Sequence, residues 1–288
     1  MSQVKRIIAS ILSLVGVGLL IGAIALYLSH LQEDKRVHES VEDFAQPTIA
    51  LTTASPSATP VPPESTPDAE LTLCTPTPQP TPTPIPAITN PYLEAYLANE
   101  DMAGWLVIPS TNIDYPIMWT PEDENYYLYR DFNKKDNKNG SLILDTDSCL
   151  DPLTTNLIIH GHNMKSGEMF GNLTDYEHKN YYLEHPNIIL YTKECQRNYE
   201  IIAVFRSQVY KKSDNVFKYY KFFQADTENE FNEFYENIKA LSLYDTGVEA
   251  AFGDRFITLS TCVYHVKNGR FVVVAKELDS GDNYLPIE

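Results

Sequence analysis

The hydrophobic and polar positions of this chain fall into three regimes. The first is an unbroken apolar run, Ile7 to Leu28, with 22 residues and no charge. At about 1.5 Å of rise per residue a helix of that length reaches about 33 Å, enough to cross a bilayer's hydrocarbon core. The run is too long for the apolar part of a cleaved leader. The sequence at its end, Tyr27-Leu28-Ser29-His30-Leu31, also lacks a small-x-small cleavage site. It therefore predicts an uncleaved, single-pass membrane anchor over 7–28, flanked by a cytoplasmic tail, 1–6, and a juxtamembrane segment, 29–45. Lys5 and Arg6 are balanced by Lys35 and Arg36 beyond the span, so the N-terminal amine tips the orientation towards N-terminus inside. The rest of the chain is then expected outside the cell.

The second regime, residues 46–90, has no apolar periodicity at all. Of the 19 prolines, 13 lie between Pro47 and Pro91, many in the repeat Thr75-Pro76-Thr77-Pro78-Gln79-Pro80-Thr81-Pro82-Thr83-Pro84. Such a stretch cannot build a core, and its fixed φ angles favour extended polyproline II. At about 3.1 Å per residue it predicts a stiff spacer reaching on the order of 140 Å.

The third regime, 91–288, carries the periodicities of a folded domain. Asn90-Pro91 reads as a helix start, followed by Tyr92, Leu93, Tyr96 and Leu97 at helical spacing. Eight short runs rich in β-branched and aromatic residues come next: Trp105–Ile108, Tyr115–Trp119, Ser141–Leu144, Asn156–His160, Asn187–Tyr191, Tyr199–Phe205, Arg255–Thr261 and Phe271–Lys276. A helical pattern interrupts them between Thr227 and Leu241, with Phe231, Phe234, Tyr235, Ile238 and Leu241 on one face. The pattern predicts a mainly β fold: a closed barrel of about eight strands, with an N-terminal helix and a helix inserted before the last two strands.

Composition narrows the function. With 22 basic against 39 acidic residues the formal charge is −17. Eight acidic and four basic residues precede residue 91, so the folded part keeps 31 against 18, or −13. That excess argues against a nucleic-acid partner. Four scattered cysteines (Cys74, Cys149, Cys195, Cys262) make no disulfide scaffold, and none has zinc-site spacing. A Cys149–Cys195 disulfide is compatible with an extracellular location. No metal or cofactor is expected.

The candidate chemistry is that of a cysteine nucleophile, which needs a proton-transferring partner and a donor for the oxyanion formed on attack at a carbonyl. Cys262 ends the strand Phe256-Ile257-Thr258-Leu259-Ser260-Thr261, where a rigid element would hold it at the barrel rim. Eight positions on, Arg270 opens the next strand, and pairing the two as a hairpin sets this cation beside the thiol. From spacing alone, a packing cysteine and a solvated turn arginine are the favoured reading. Among seven histidines, His160 and His162 stand out in Leu157-Ile158-Ile159-His160-Gly161-His162, where His162 follows a glycine at a strand exit. A His-x-His pair without a carboxylate or thiolate at useful spacing is a weak metal site. His265 lies in the turn after Cys262, His178 and His185 sit in polar sequence, and His30 and His38 lie beside the expected membrane span.

Thr258-Leu259-Ser260-Thr261-Cys262 followed by Arg270 resembles the signature of sortases, cysteine transpeptidases of Gram-positive cell envelopes. Gly161-His162-Asn163-Met164 with Met169-Phe170 is similar to the region of their catalytic histidine. Gly104-Trp105-Leu106, Ile113-Asp114-Tyr115-Pro116-Ile117, Tyr126-Tyr127-Leu128, Asp131-Phe132, Gly140-Ser141 and Val272-Val273-Val274-Ala275-Lys276 resemble class B members, as does the long helix-bearing segment between Arg206 and Asp254. Together they run in order from residue 92 to about 278. The resemblance implies Cys262 as nucleophile, His162 as acid and base, and Arg270 as oxyanion stabiliser, with Leu128, Ser260 and Thr261 contacting the peptide. It implies two partners: a secreted protein with a C-terminal pentapeptide sorting signal, and an amine of a peptidoglycan cross-bridge or its lipid-linked precursor. In a pilus-assembling relative that amine is a pilin lysine. A catalytically inactive envelope adaptor is the reading of another class. The chain departs from the class pattern at His160, commonly a tyrosine, in Glu122-Asp123-Glu124-Asn125, and in its longer spacer.

Overall fold

The computed structural model describes residues 18–25, 28, 44, 89–264 and 266–283. The expected cytoplasmic tail and nearly all of the spacer lie outside them. Of the expected anchor only 18–25 and 28 are described, as helix, and no helix among the described residues is long and apolar enough to cross a membrane.

Eight strands close into a barrel. They are β1 (Met102–Val107), β2 (Asp114–Met118), β3 (Leu142–Leu144), β4 (Asn156–Gly161), β5 (Asn187–Tyr191), β6 (Cys195–Gln208), β7 (Phe256–Cys262) and β8 (Gly269–Asn283). The order around the barrel is β1-β2-β3-β4-β7-β8-β6-β5, and β5 pairs back onto β1. Two neighbouring pairs are parallel, β2 with β3 and β4 with β7; the others are antiparallel. A parallel pair cannot be joined by a tight hairpin, and the chain between β4 and β7 supplies β5, β6 and the inserted helix.

Pleating explains the nearly continuous apolar run at 271–275. Phe271, Val273 and Ala275 point into the barrel with Trp105, Leu157, Ile159, Ile257 and Leu259. Val272 and Val274 point outward into a second core with Phe256, Phe205 and Ile202. Strands buried on both faces lose the polar alternation of a half-exposed sheet.

The inserted helix covers that outer face. A short helix α1 (Leu93–Ala98) precedes the barrel, α2 (Lys179–Glu184) lies between β4 and β5, and α3 (Glu228–Leu241) is the insertion. Thr227 caps α3 in a reciprocal box with Glu230, whose carboxylate accepts from the Thr227 backbone. Phe231, Phe234 and Ile238 form its buried stripe, with Phe234 stacked on Phe222 at 4.0 Å between ring centroids.

The mainly β barrel with its leading and inserted helices is therefore as expected, with local differences. Asn90 is buried and ties off a turn instead of opening a helix. Its Oδ1 accepts from Tyr92 N at 2.8 Å and its Nδ2 donates to Thr192 O at 3.0 Å, so α1 starts at Leu93. Leu97 and Leu241, expected on buried faces, are exposed. The 3-10 segment Gly171–Glu177 and helix α2 were not expected from their largely polar sequence. Cys149 and Cys195 are both free thiols, which removes the disulfide: Cys149 Sγ donates to Asp151 O, and buried Cys195 opens β6 with its Sγ against the Thr192 hydroxyl.

Phe234→Ala should open a cavity in the outer core and cost about 3–5 kcal/mol of unfolding free energy, read as a lower urea midpoint. An unchanged midpoint would mean that α3 is not fastened to the barrel through this ring.

Candidate active site

The parallel ladder between β4 and β7 runs in constant register, from Asn156 opposite Phe256 to Gly161 opposite Thr261. His162 and Cys262 are the next residue on each side: His162 is the first past β4, and Cys262 is the last of β7. On the other flank of β7, Cys262 is the cross-strand partner of Arg270 in β8, a relation that places side chains about 5 Å apart at Cβ. The pleat sets their direction. Phe256, Val272 and Val274 face the outer core, and Cys262 and Arg270 share their parity. All three candidate residues are half-buried. The site thus lies on the outer wall of the barrel, at the end where β4 and β7 finish.

Beneath it, polar groups knit the wall together. Ser260 and Thr261 are each 1% exposed. The Ser260 hydroxyl lies 2.7 Å from the phenol of Tyr219, and Thr261 Oγ1 donates to Gly161 O at 2.7 Å, tying β7 to β4. Tyr219 belongs to a one-turn 3-10 segment, Tyr219–Lys221, of the insertion. Burial pushes its phenol up to about 12, with Ser260's hydrogen bond and the charge of Arg270 holding it lower than burial alone would. Tyr219 was missed in the sequence, where it is one aromatic among many in 217–223.

His162 is gripped from the loop before β3. Its Nε2 lies 2.8 Å from Leu128 O. A carbonyl only accepts, so this nitrogen carries the proton, and in the neutral ring the lone pair sits on Nδ1. The ring of Tyr129 stacks on that of His162, with centroids 5.4 Å apart and planes at 29°. The backbone behind His162 is tied by Phe170 N donating to His162 O at 3.0 Å. Asn163 Nδ2 reaches across to Cys262 O at 2.8 Å. Gly161 has no room for a side chain: a Cβ there would lie 2.6 Å from the ring of Phe170.

Gly140, with φ +60, backs directly onto the Leu128 peptide, and a Cβ would lie 2.3 Å from Leu128 O. The carbonyl that holds His162 therefore depends on a glycine 12 positions further along the chain. Nothing in the local sequence signals this beyond the Asn139-Gly140 turn dipeptide.

Cys262 and Arg270 are thus cross-strand partners, the hairpin pairing expected of them, and His162 follows the end of the ladder that β4 shares with β7. Leu128 adjoins them through its carbonyl, while its side chain packs against the barrel core. His160 is half-exposed, opposite Ser260 in the ladder, and its Nε2 meets Asp145 Oδ2 at 3.0 Å. His178 and His185 flank α2, and His265, His30 and His38 lie outside the described residues. Among the described residues no three His, Cys, Asp or Glu side chains are grouped to hold a metal. A thiol, an imidazole with one committed nitrogen and a permanent cation on one outward face are equipped for acyl transfer through a covalent intermediate.

Comparison with known proteins points the same way. Residues 106–278 match the family model of the sortase domain. Sortase B of Listeria monocytogenes is 33% identical over 184 residues, spanning 62% of this chain and 70% of the relative. The X-ray structure of Clostridium perfringens sortase B superposes with a TM-score of 0.58 at 27% identity, covering 65% of this chain and 98% of that one. The Staphylococcus aureus sortase B–substrate complex gives 0.59 at 27% identity, covering 66% and 86%.

Two outcomes follow from the geometry. Gly140→Ala should preserve the barrel but displace the Leu128 carbonyl, lowering peptide turnover on the order of 10²-fold; wild-type turnover would show that this carbonyl does not position His162. Burial raises the Asp145 carboxyl, but the hydrogen bonds from His160 and the Asp147 N–H outweigh it and hold the group below its ordinary 3.8. A depressed folded value stabilises above the unfolded pKa, and that contribution is lost as pH falls through the folded one. Asp145→Asn should therefore lower Tm at neutral pH, and the gap from wild type should close as pH drops below about 4.

Proposed function

Since the chain belongs to the sortase family, we propose that its transpeptidation is carried out by Cys262, His162 and Arg270 on the barrel's outer wall. Its relatives are class B sortases, and the protein is a sortase-type cysteine transpeptidase of the cell envelope. The observation that carries the assignment is the register: one ladder step past Gly161 and Thr261 sets His162 beside Cys262, and β8 brings Arg270 to the other side.

In this reading the Cys262 thiolate attacks the threonine carbonyl of a pentapeptide sorting signal near the C-terminus of a secreted protein. Negative charge gathers on the carbonyl oxygen, where Arg270 and backbone N–H groups stabilise it. Collapse breaks the C–N bond, and imidazolium His162 gives its Nδ1 proton to the departing amine, leaving a thioacyl-enzyme. Nε2 keeps its proton on Leu128 O throughout. Nδ1, now carrying the lone pair, then takes a proton from the incoming amine as it attacks the thioester, and the C–S bond breaks to release the new amide and return Cys262 as the thiolate beside imidazolium His162. An amide is broken and an amide is made, so the exchange needs no ATP.

The acceptor is an amine of a peptidoglycan cross-bridge or its lipid-linked precursor. Leu128 contributes to the peptide groove, while the burial of Ser260 and Thr261 suits them to supporting Cys262 and the Tyr219 turn from below. Residues 7–28 anchor the enzyme with its N-terminus in the cytoplasm, 46–90 act as spacer, and 91–288 work outside the membrane.

A thioester trapped at Cys262 of the full-length chain, using a library of pentapeptide signals, tests the nucleophile and the recognition motif together. Cys262→Ala should abolish the adduct and Arg270→Ala should slow its formation by about 10²-fold or more. His162→Ala should be severely impaired while His160→Ala is not. Near-wild-type transfer by any of the first three variants would sink the role given to that residue. Transfer to a pilin lysine but not to a cross-bridge amine would overturn the acceptor.

A further inference from the structure

Tyr129 stands apart within an aromatic segment that otherwise packs inward. Tyr127 is fully buried, and its hydroxyl donates to Asp101 Oδ2 at 2.7 Å. Tyr126 is half-buried, with the Arg130 guanidinium 4.3 Å from its ring centroid. Tyr129 is 60% exposed, so its ring adds little to the core, yet it lies stacked against His162. Its backbone is fixed from both sides: Asn137 N donates to Tyr129 O at 2.9 Å, and the preceding carbonyl holds His162 Nε2.

Two adjacent residues thus grip one imidazole, Leu128 at an edge and Tyr129 on a face. The two contacts restrain different motions. A single hydrogen bond fixes Nε2 but lets the ring plane turn about the Nε2···O axis, which would re-aim the lone pair of Nδ1. A face contact at 5.4 Å, inside the usual range for offset aromatic pairs, removes that swing. The restraint matters because proton transfer is efficient only when donor and acceptor atoms are held at hydrogen-bond reach.

We propose that Tyr129 is a positioning residue, fixing the plane of the His162 ring so that Nδ1 stays aimed at the group whose proton it moves. The inference rests on His162 being the acid and base. It requires the aromatic ring and not the phenol hydroxyl.

The test uses the full-length chain in detergent micelles, with initial rates of peptide cleavage and transfer measured for Tyr129→Ala, Tyr129→Phe and His162→Ala. Loss of the stack should lower kcat roughly three- to tenfold with peptide KM unchanged to within about twofold, and Tyr129→Phe should restore kcat to within about twofold. With 13C-labelled histidine, the His162 ring signal should move in Tyr129→Ala, where the neighbouring ring current is lost, and stay near its place in Tyr129→Phe. A Tyr129→Ala enzyme with wild-type kcat, a loss that falls on KM, or failure of Phe to rescue would each overturn the proposal. The control separates two failures: an active His162→Ala enzyme would refute the reading of the site itself. An inactive one beside a wild-type Tyr129→Ala would refute only the role of Tyr129.

Discussion

The parallel pairing of β4 with β7 is the constraint on which the rest of this structure depends. Strands far apart in sequence must lie side by side and run the same way, so the chain between them has to travel out and return. It spends that excursion on β5, β6 and the α3 layer, which in turn bury the outer faces of β6, β7 and β8. With both faces covered, β7 has little freedom to shift, because a one-residue slip would exchange Phe256 and Thr258 with Ile257 and Leu259. The hydrogen bond from buried Thr258 to Asn156 Oδ1 adds a polar key to the same register. A residue at the end of such a strand inherits its rigidity, which is what a covalent nucleophile needs.

The position of His162 is set by a second, local constraint. The Leu128 carbonyl is presented by a loop whose own ties run elsewhere: Ser141 N to Tyr127 O, Asn99 Nδ2 to the Tyr127 hydroxyl, and Ser141 Oγ to Arg130 O. Gly140 allows the loop's return path to pass directly behind that carbonyl. The wall and the loop are built separately and meet at the imidazole. Within the wall, Asn163 reaches from the histidine side to Cys262 O and ties the exit of β4 to the end of β7.

Strand periodicity and turn residues were enough to locate every strand of the barrel, with β5 matching at both ends. β8 and β6 ran furthest beyond expectation: β8 continues past Lys276 to Asn283, and β6 takes in Cys195–Asn198 and Arg206–Gln208, largely polar residues that continue the ladder with β8. The cysteine, histidine and arginine were legible because they form short motifs at strand ends. What lay hidden is what the chain establishes through space: the carbonyl–glycine contact at Leu128 and Gly140, the Asp145–His160 pair, and the Tyr219–Ser260 contact. The burial of Ser260 and Thr261 was also unreadable, since in a strand covered on both faces neither parity of the pleat points to solvent. The polar segment 171–184 gave no periodic signal, yet Leu173, Tyr176 and Tyr182 anchor it to the core.

The filled interior of the barrel has a topological consequence. Trp105, Ile117, Leu157, Ile159 and Leu259 occupy the lumen, so no polypeptide can be threaded through it. A substrate engaging the outer wall lies across it as a rope lies across a drum, and neither of its ends has to be free. With the proposed site on that wall, folded domains could flank the reacting bond on both sides without being unravelled. A partner arriving from the opposite flank need never pass through the space that the first one fills.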